Sequence, residues 1–512
     1  MKQLLMSPEA LARALDDFLA DARSAVVLEG GEAIFDLANA RYSITSDHGK
    51  CVLHIWSEER NTVRRVLDAE ARAGSLRLTV QRFGQARPAK LEICRERDRR
   101  SPTARHAARA AYHRLLGRVL ECNFPDFTVE RLSTSADLER SFSAVYTRGL
   151  LRRGNRAFAV LGVNAKEMQA AIDAALTFGL LWLDSCRQAI ASRAAVVGLK
   201  LFVPAGTSPV VRQRMAHLNH AAAQFELYEL EERDRAIEPV DCSDRGNIAT
   251  RLLRCSDPHK VRERFAGSIR RLLEIVPDAE VAVLSSAEVA FRLRGLEFAR
   301  ARLIPEPGSF RHVEQIVFGA VGREVRLDEL SADDFAEFVR LLATRRADGP
   351  RDHPFWRAQP ERWLESLVSR DVTMIDSRLD PGCVYSQVPA FSASDRAMID
   401  VLASSGDGRL AVLELKAEED IHLPLQGLDY WARVAWHHAR GEFKQFGYFP
   451  GRELSPDLPL LLLVTPALHV HPATDALLRY LAPEIEWELV GIDERWREGV
   501  RVVFRKRRGL SC

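Results

Sequence analysis

Cysteine is sparse and unordered in this 512-residue chain: there are eight, Cys51, Cys94, Cys122, Cys186, Cys242, Cys255, Cys383 and Cys512, and no CxxC pair among them. Such spacing indicates neither a zinc site nor a disulfide framework, and it fits a reducing cytoplasm. Long apolar runs are missing as well. No stretch reaches 18 apolar residues, and the opening "MKQLLMSPEALARALDDFLADA" lacks the apolar core and small-residue cleavage site of a signal peptide, so no membrane partner is expected. Nor is there an excess of one charge: 73 Lys and Arg face 71 Asp and Glu, and any nucleic-acid surface must therefore be local. No GxxxxGK[ST], HExxH or GxSxG occurs, which removes the main indications of a nucleotide-driven motor, a zinc peptidase or an esterase.

What is present is a globular composition, 46% hydrophobic and 28% charged, in a chain long enough for several domains of mixed α/β class. Composition and turn signals divide it at 1–100, 101–240, 241–350 and 351–512. The first part alternates apolar and polar residues in "CVLHIW", "LRLTVQRF" and "KLEIC", with a helix expected over "RNTVRRVLDAEARA". Arg95, Arg97, Arg99, Arg100, Arg105, Arg109 and Arg114 then mark a basic linker or a helix facing phosphates. Residues 241–350 read as a small module of hairpins and one amphipathic helix. The last part reads α-β-β-β-α-β-α-β-β, a mixed sheet with helices on both faces.

One hairpin of that last part stands out: "IDVLASSGDGRLAVLELKA", residues 399–417, carries Asp400 on one strand and Glu414 and Lys416 on the next. Positions two apart on a strand share a face, so the three side chains can converge. The strand "LAVLEL" is apolar on both faces, where unpaired charge is costly. Two neighbouring carboxylates ask for a divalent cation, and hard oxygen donors suit Mg²⁺, or Mn²⁺. Such an ion acidifies its water and neutralises a phosphoryl oxygen, with Lys416 positioned to orient or deprotonate the water.

With Asp400, Glu414 and Lys416 in view, the stretch resembles the PD-(D/E)XK nuclease superfamily, and "QGLDY", with Gln426 and Tyr430, is similar to the QxxxY motif of its RecB-like members. The resemblance covers roughly 355–505 and implies a restriction-endonuclease-like mixed sheet and metal-dependent hydrolysis of a phosphodiester bond. It assigns catalytic positions to Asp400, Glu414, Lys416, Gln426 and Tyr430. It also implies a helical glutamate, Glu365, as a third metal ligand, with Glu361 as the competitor one turn earlier. Ile399 stands where the family name has Pro.

An offset of 252 positions lays 145–182 on 397–434 without a gap, matching Gly154 to Gly406 and "AVL" to "AVL". It predicts a degenerate copy of the same fold in the middle of the chain. Asp400 then falls on Arg148, Glu414 on Gly162, Lys416 on Asn164, Gln426 on Ala174 and Tyr430 on Phe178. The copy is read as a platform or, through Arg148, Arg152 and Arg153, as a nucleic-acid grip; Arg505, Lys506 and Arg507 are the corresponding candidates at the C-terminal end. His437, His438, His469 and His471 are expected at the surface or in hydrogen bonds, and Trp431 and Trp436 in packing. The sequence thus points to a metal-dependent DNA endonuclease. The alternative is a non-catalytic nucleic-acid-binding or assembly protein that keeps a nuclease fold.

Overall fold

The computed structural model describes residues 7–508 except 21–24, 30–31, 38–39, 47–48, 57–60, 73–74, 82–87, 95–101, 138–140, 191–193, 246–249, 307–310, 320–323, 348–350, 352 and 393–397. The chain is mixed α/β and multi-domain, with four separate sheets among the described residues. Among the described residues no helix is long and apolar enough to cross a membrane.

The first sheet is seven-stranded and antiparallel throughout, covered by the helix Pro8–Ala20. Cys51, Leu53 and Ile55 are buried on one face, as strict alternation requires. The helix expected over "RNTVRRVLDAEARA" is instead the strand Asn61–Arg72. Its Arg, Leu, Glu and Ala content favours a helix, but pairing with Cys51–Trp56 on one side and Ser75–Gln81 on the other overrides that preference. In the basic stretch, residues 95–101 lie outside the described residues, and Pro102–Asn123 is a helix rather than a linker, with Arg109 ion-paired to Glu167 at 2.6 Å.

The second and third architectures are one pattern used twice. In the middle, Thr128–Ser133, Tyr146–Arg153 and Arg156–Val163 run antiparallel. Ala195–Pro204 and Gln224–Glu231 follow in parallel, and Ala236–Val240 closes the edge antiparallel. Near the C-terminus, Leu379–Ser392, Met398–Ser405, Leu410–Leu415, Leu460–Pro466, Trp487–Ile492 and Val502–Arg507 repeat that order and those directions. Helices Ala175–Ile190 and Leu423–Ala439 make the first parallel crossover in each, as parallel neighbours require. A seventh strand, Thr250–Leu252, pairs with the edge of the C-terminal sheet, so the boundary expected at 241 moves: part of this segment belongs to the last unit. The five-stranded hairpin sheet and helices of 257–347 form their own core between them.

The two similar units are joined through a single core that takes Leu176, Leu180 and Leu183 from one crossover helix and Leu425, Leu428 and Val434 from the other. The contacts are reciprocal. Arg214 of the middle unit pairs with Asp429 at 2.7 Å, and Arg479 of the last unit pairs with Asp184 at 3.3 Å. Asn219 N donates to Tyr480 O at 2.7 Å, and Ala482 N donates to His217 O at 2.9 Å.

Candidate active site

Leu410–Leu415 is buried at every position, as a central strand with helices on both faces must be. Leu413 and Leu415 join the core under the helix Pro360–Arg370, and Val412 joins the core under Leu423–Ala439. Alternation therefore turns Glu414 toward the second helix. There Gly427 allows close approach: a Cβ at this glycine would lie 3.6 Å from Glu414 Cβ and 2.5 Å from Leu463 Cδ2.

The ladder between Met398–Ser405 and Leu410–Leu415 ends at Val401 and Leu413, one step before Asp400 and Glu414. Beyond that point the Asp400 side chain takes over the pairing, with Oδ2 accepting from Leu415 N at 3.1 Å. On the other flank of Asp400, Gln387 has φ of +54°, a left-handed conformation that is strained for glutamine, and no pair forms there between Ser386–Val401 and Val388–Ile399. Gln387 Nε2 donates to Glu365 Oε2 at 2.7 Å, and Arg362 Nη1 donates to the same oxygen at 3.0 Å. Gln387 was not legible as a site residue, because nothing in strand periodicity marks a glutamine in a left-handed conformation.

Lys416 Nζ lies 3.1 Å from Glu414 Oε1 and 3.7 Å from Asp420 Oδ2. Burial would lower its pKa, but Glu414, Glu361 and Asp420 together hold it above the usual lysine value. Glu414 is only 2% exposed; burial, then the charge of Asp400, pushes its carboxyl well above the ordinary range. Burial also raises Asp400, against the Leu415 N–H and Lys416. Glu365 is raised to about 7, again by burial first. Glu361 is raised by burial and feels both Lys416 and Asp400. Tyr430 is raised by burial and then by the charges of Glu414 and Asp400.

Three buried acceptor oxygens, Glu414 Oε2, Gln387 Oε1 and Gln426 Oε1, have no hydrogen-bond partner. An excess of desolvated acceptors calls for protons or a cation. Among the described residues no three His, Cys, Asp or Glu side chains already meet as a ligand set. Asp400 and Glu414 form the open pair, and Glu365 is turned to Arg362 and Gln387.

The six candidate phosphate cations lie elsewhere, each with a partner. Arg148 is 5% exposed, its guanidinium 4.5 Å over the Phe142 ring and donating to Ser135 O, so burial withdraws it from phosphate contact. Arg152 bonds Gly154 O, and Arg153 pairs with Asp126 at 3.0 Å. Arg505 and Arg507 converge on buried Glu488, and Lys506 pairs with Asp475 at 2.6 Å. His437 bonds Thr250 and Glu442, while Trp431 Nε1 donates to Pro459 O.

Pairing registers also correct the gapless match between the two units. Ala159 and Leu161 face Leu199 and Leu201, as Val412 and Glu414 face Leu461 and Leu463. A Cβ at Gly179 would meet Leu199 and Leu201, as one at Gly427 meets Leu461 and Leu463. Glu414 thus corresponds to Leu161 rather than Gly162, Lys416 to Val163, Gln426 to Phe178 and Tyr430 to Trp182. Arg148 pairs with Leu161 and keeps its match to Asp400. The cause is the hairpin turn, 154–155 in the middle unit and 406–408 in the last, one residue longer. In the middle unit the ladder stays closed to Tyr146 and Val163, and Arg148 lies against Phe142 and Trp182 where the last unit has carboxylates. Comparison of the chain with family models, curated proteins and solved structures finds no match.

Proposed function

We propose that the C-terminal unit is a divalent-metal-dependent nuclease of restriction-endonuclease-like, PD-(D/E)XK architecture, acting on DNA. The observation that carries this reading is buried Glu414 beside half-buried Asp400, with an unpartnered Glu414 oxygen and an ammonium 3.1 Å from the other, at a point where the sheet opens. Asp400 and Glu414 would hold Mg²⁺ or Mn²⁺, with Glu365 joining on release from Arg362 or Gln387. The bound ion supplies a nucleophilic water at neutral pH and charge neutralisation on the phosphoryl group. Lys416 orients that water and meets negative charge as it develops; Glu414, Glu361 and Asp420 keep it protonated for that role. Gln426 presents its free Oε1 on the helix beside Glu414, and half-buried Tyr430 lies one turn further along the same helix.

The second reading, a non-catalytic nucleic-acid-binding or assembly protein, draws support from the middle unit, where the same strand order persists with Arg148, Leu161 and Val163 in place of the reactive groups. Incubation of supercoiled plasmid with Mg²⁺ or with EDTA separates the two. Metal-dependent nicking that Asp400→Asn abolishes is expected. DNA left intact with either metal at any pH between 6 and 9 would leave the assembly reading.

A further inference from the structure

A cavity of about 510 Å³ opens between the helix Pro360–Arg370 and the hairpin sheet of 257–347, next to Glu365. Arg262, Arg292, Arg362 and Arg370 line it, with Glu280 and Glu365 as the acidic residues. Two of the arginines are neutralised in place, Arg370 by Glu280 at 3.1 Å and Arg362 by Glu365 at 3.0 Å. The other two are not. Arg262 donates only to a backbone carbonyl, Val281 O, and half-buried Arg292 makes no hydrogen bond or ion pair with any described residue. The Ser369 hydroxyl, which also lines the cavity, is buried without a partner. Burial pulls the Arg292 guanidinium below its usual pKa, against the charges of Glu365, Glu297 and Glu280, none of which bonds it.

A second cavity, of about 960 Å³, adjoins the first across the Arg370–Glu280 pair and shares Ala279, Glu280, Ser366 and Arg370 with it. This second part adds Arg294, Arg351 and Arg497 against Asp278 and Glu498, and an aromatic wall, Trp356, whose ring is half-buried with Arg497 5.4 Å from its centroid. A basic track with an aromatic face is the chemistry that binds an unpaired strand, phosphates on arginine and bases on rings. Volumes on the scale of small-ligand pockets, about 300–1,000 Å³, suit one strand and not a duplex.

Building on the nuclease reading, we infer that this cleft binds the phosphate backbone of a single nucleic-acid strand and leads it to Asp400 and Glu414, with Arg262 and Arg292 as the phosphate contacts nearest the site. The hairpin module of 257–347 is then a substrate-guiding element. The same anion chemistry is offered by free nucleotides, and the test separates the two.

Fluorescence anisotropy in EDTA, at several salt concentrations, measures binding of a labelled mixed-sequence single-stranded oligodeoxynucleotide, with the matching duplex and free dAMP as competitors. The full chain is expected to prefer the single strand at least tenfold over duplex, with dAMP a weak competitor. Arg262→Gln with Arg292→Gln should weaken single-strand binding about tenfold or more and reduce the salt slope by up to about 0.7 per lost contact. Arg292→Lys, which keeps the charge, should retain the slope and shows that the fold tolerates change there. Unchanged affinity and slope in the double glutamine variant, preference for duplex, or full displacement by dAMP at the oligonucleotide's own concentration would each overturn the inference. Because binding is read without metal, arginine-dependent binding with no Mg²⁺-dependent cutting sinks the nuclease reading alone. Cutting of single strands at wild-type KM in the double variant sinks the cleft alone.

Discussion

Glu414 is a carboxyl in a costly place: nearly unexposed, one oxygen unpartnered and Asp400 adjacent. Replacing it with Gln removes a charge that the metal-free protein holds poorly. Glu414→Gln and Asp400→Asn should therefore abolish cutting while melting in EDTA at the wild-type temperature or a few degrees above it, which calorimetry reads directly. Lys416→Ala should behave differently, keeping a bound divalent ion while the cleavage rate falls about 10²- to 10⁴-fold, the range for a lost acid–base or charge-stabilising group. Isothermal titration with Mn²⁺ beside single-turnover rates separates the two effects. Glu365 sets a pH dependence. Its carboxyl is raised to about 7 in the folded protein against about 4.3 in an unfolded chain, so the folded state binds the extra proton. The associated stability is complete below about pH 4 and is lost as pH rises through 7. Melting temperature in EDTA should consequently fall between pH 5 and 7.5, Mg²⁺ should restore more of it at 7.5 than at 5, and Glu365→Gln should flatten the metal-free profile. A rising metal-free profile over that interval would contradict the burial argument.

At the scale of elements, the C-terminal strands were legible because their apolar runs are long and bounded by Gly, Pro and Asp. Asp400, Glu414 and Lys416 were legible as interruptions of those runs. The strand Asn61–Arg72 was not, since its residues favour a helix and only its two neighbours make it a strand. The repeated architecture was visible in the order of elements, but its residue match was displaced by one at the hairpin turn and by one helical turn at Gln426 and Tyr430. Neither shift can be seen without pairing registers, because identical apolar alternation fits both. The corrected match gives its own expectation. Arg148→Asp, Leu161→Glu and Val163→Lys together would rebuild the charges of the hairpin in the middle unit. No open ladder exists there to receive them, since it stays closed to Tyr146 and Val163, and Leu161 is fully buried in the shared core. The triple variant should lose stability by well over 4 kcal/mol, or fail to fold, without gaining a second cutting centre. Thermal melts, and cleavage assays in an Asp400→Asn background, check both halves of that statement.

For the whole molecule, the decisive feature is that the two similar units share one core between their crossover helices, while each keeps a second core on the other face of its sheet. Leu180, Leu199 and Leu201 of the middle unit lie in one cluster with Leu428, Leu461 and Leu463 of the last, whereas the first sheet and the 257–347 module each close on themselves. The buried Arg214–Asp429 pair reinforces this joint one residue from Tyr430, with Arg214 also donating to Asp173 O at 2.5 Å. Cores that are shared unfold together, and independent cores need not. Proteolytic or genetic removal of residues 1–94 should accordingly leave the main calorimetric transition in place and delete a separate one. The middle and last units should melt in a single step and protect their amides from exchange to the same free energy. Arg214→Ala should lower that common step by about 3–5 kcal/mol, because it leaves Asp429 buried without its partner. The position of the loss is the telling measurement. Faster hydrogen exchange in both crossover helices, Ala175–Ile190 and Leu423–Ala439, is expected from one substitution made in neither of them. Exchange that quickens only around Arg214 would mean that the C-terminal unit stands without its neighbour. A role for the middle unit as its scaffold would then fall.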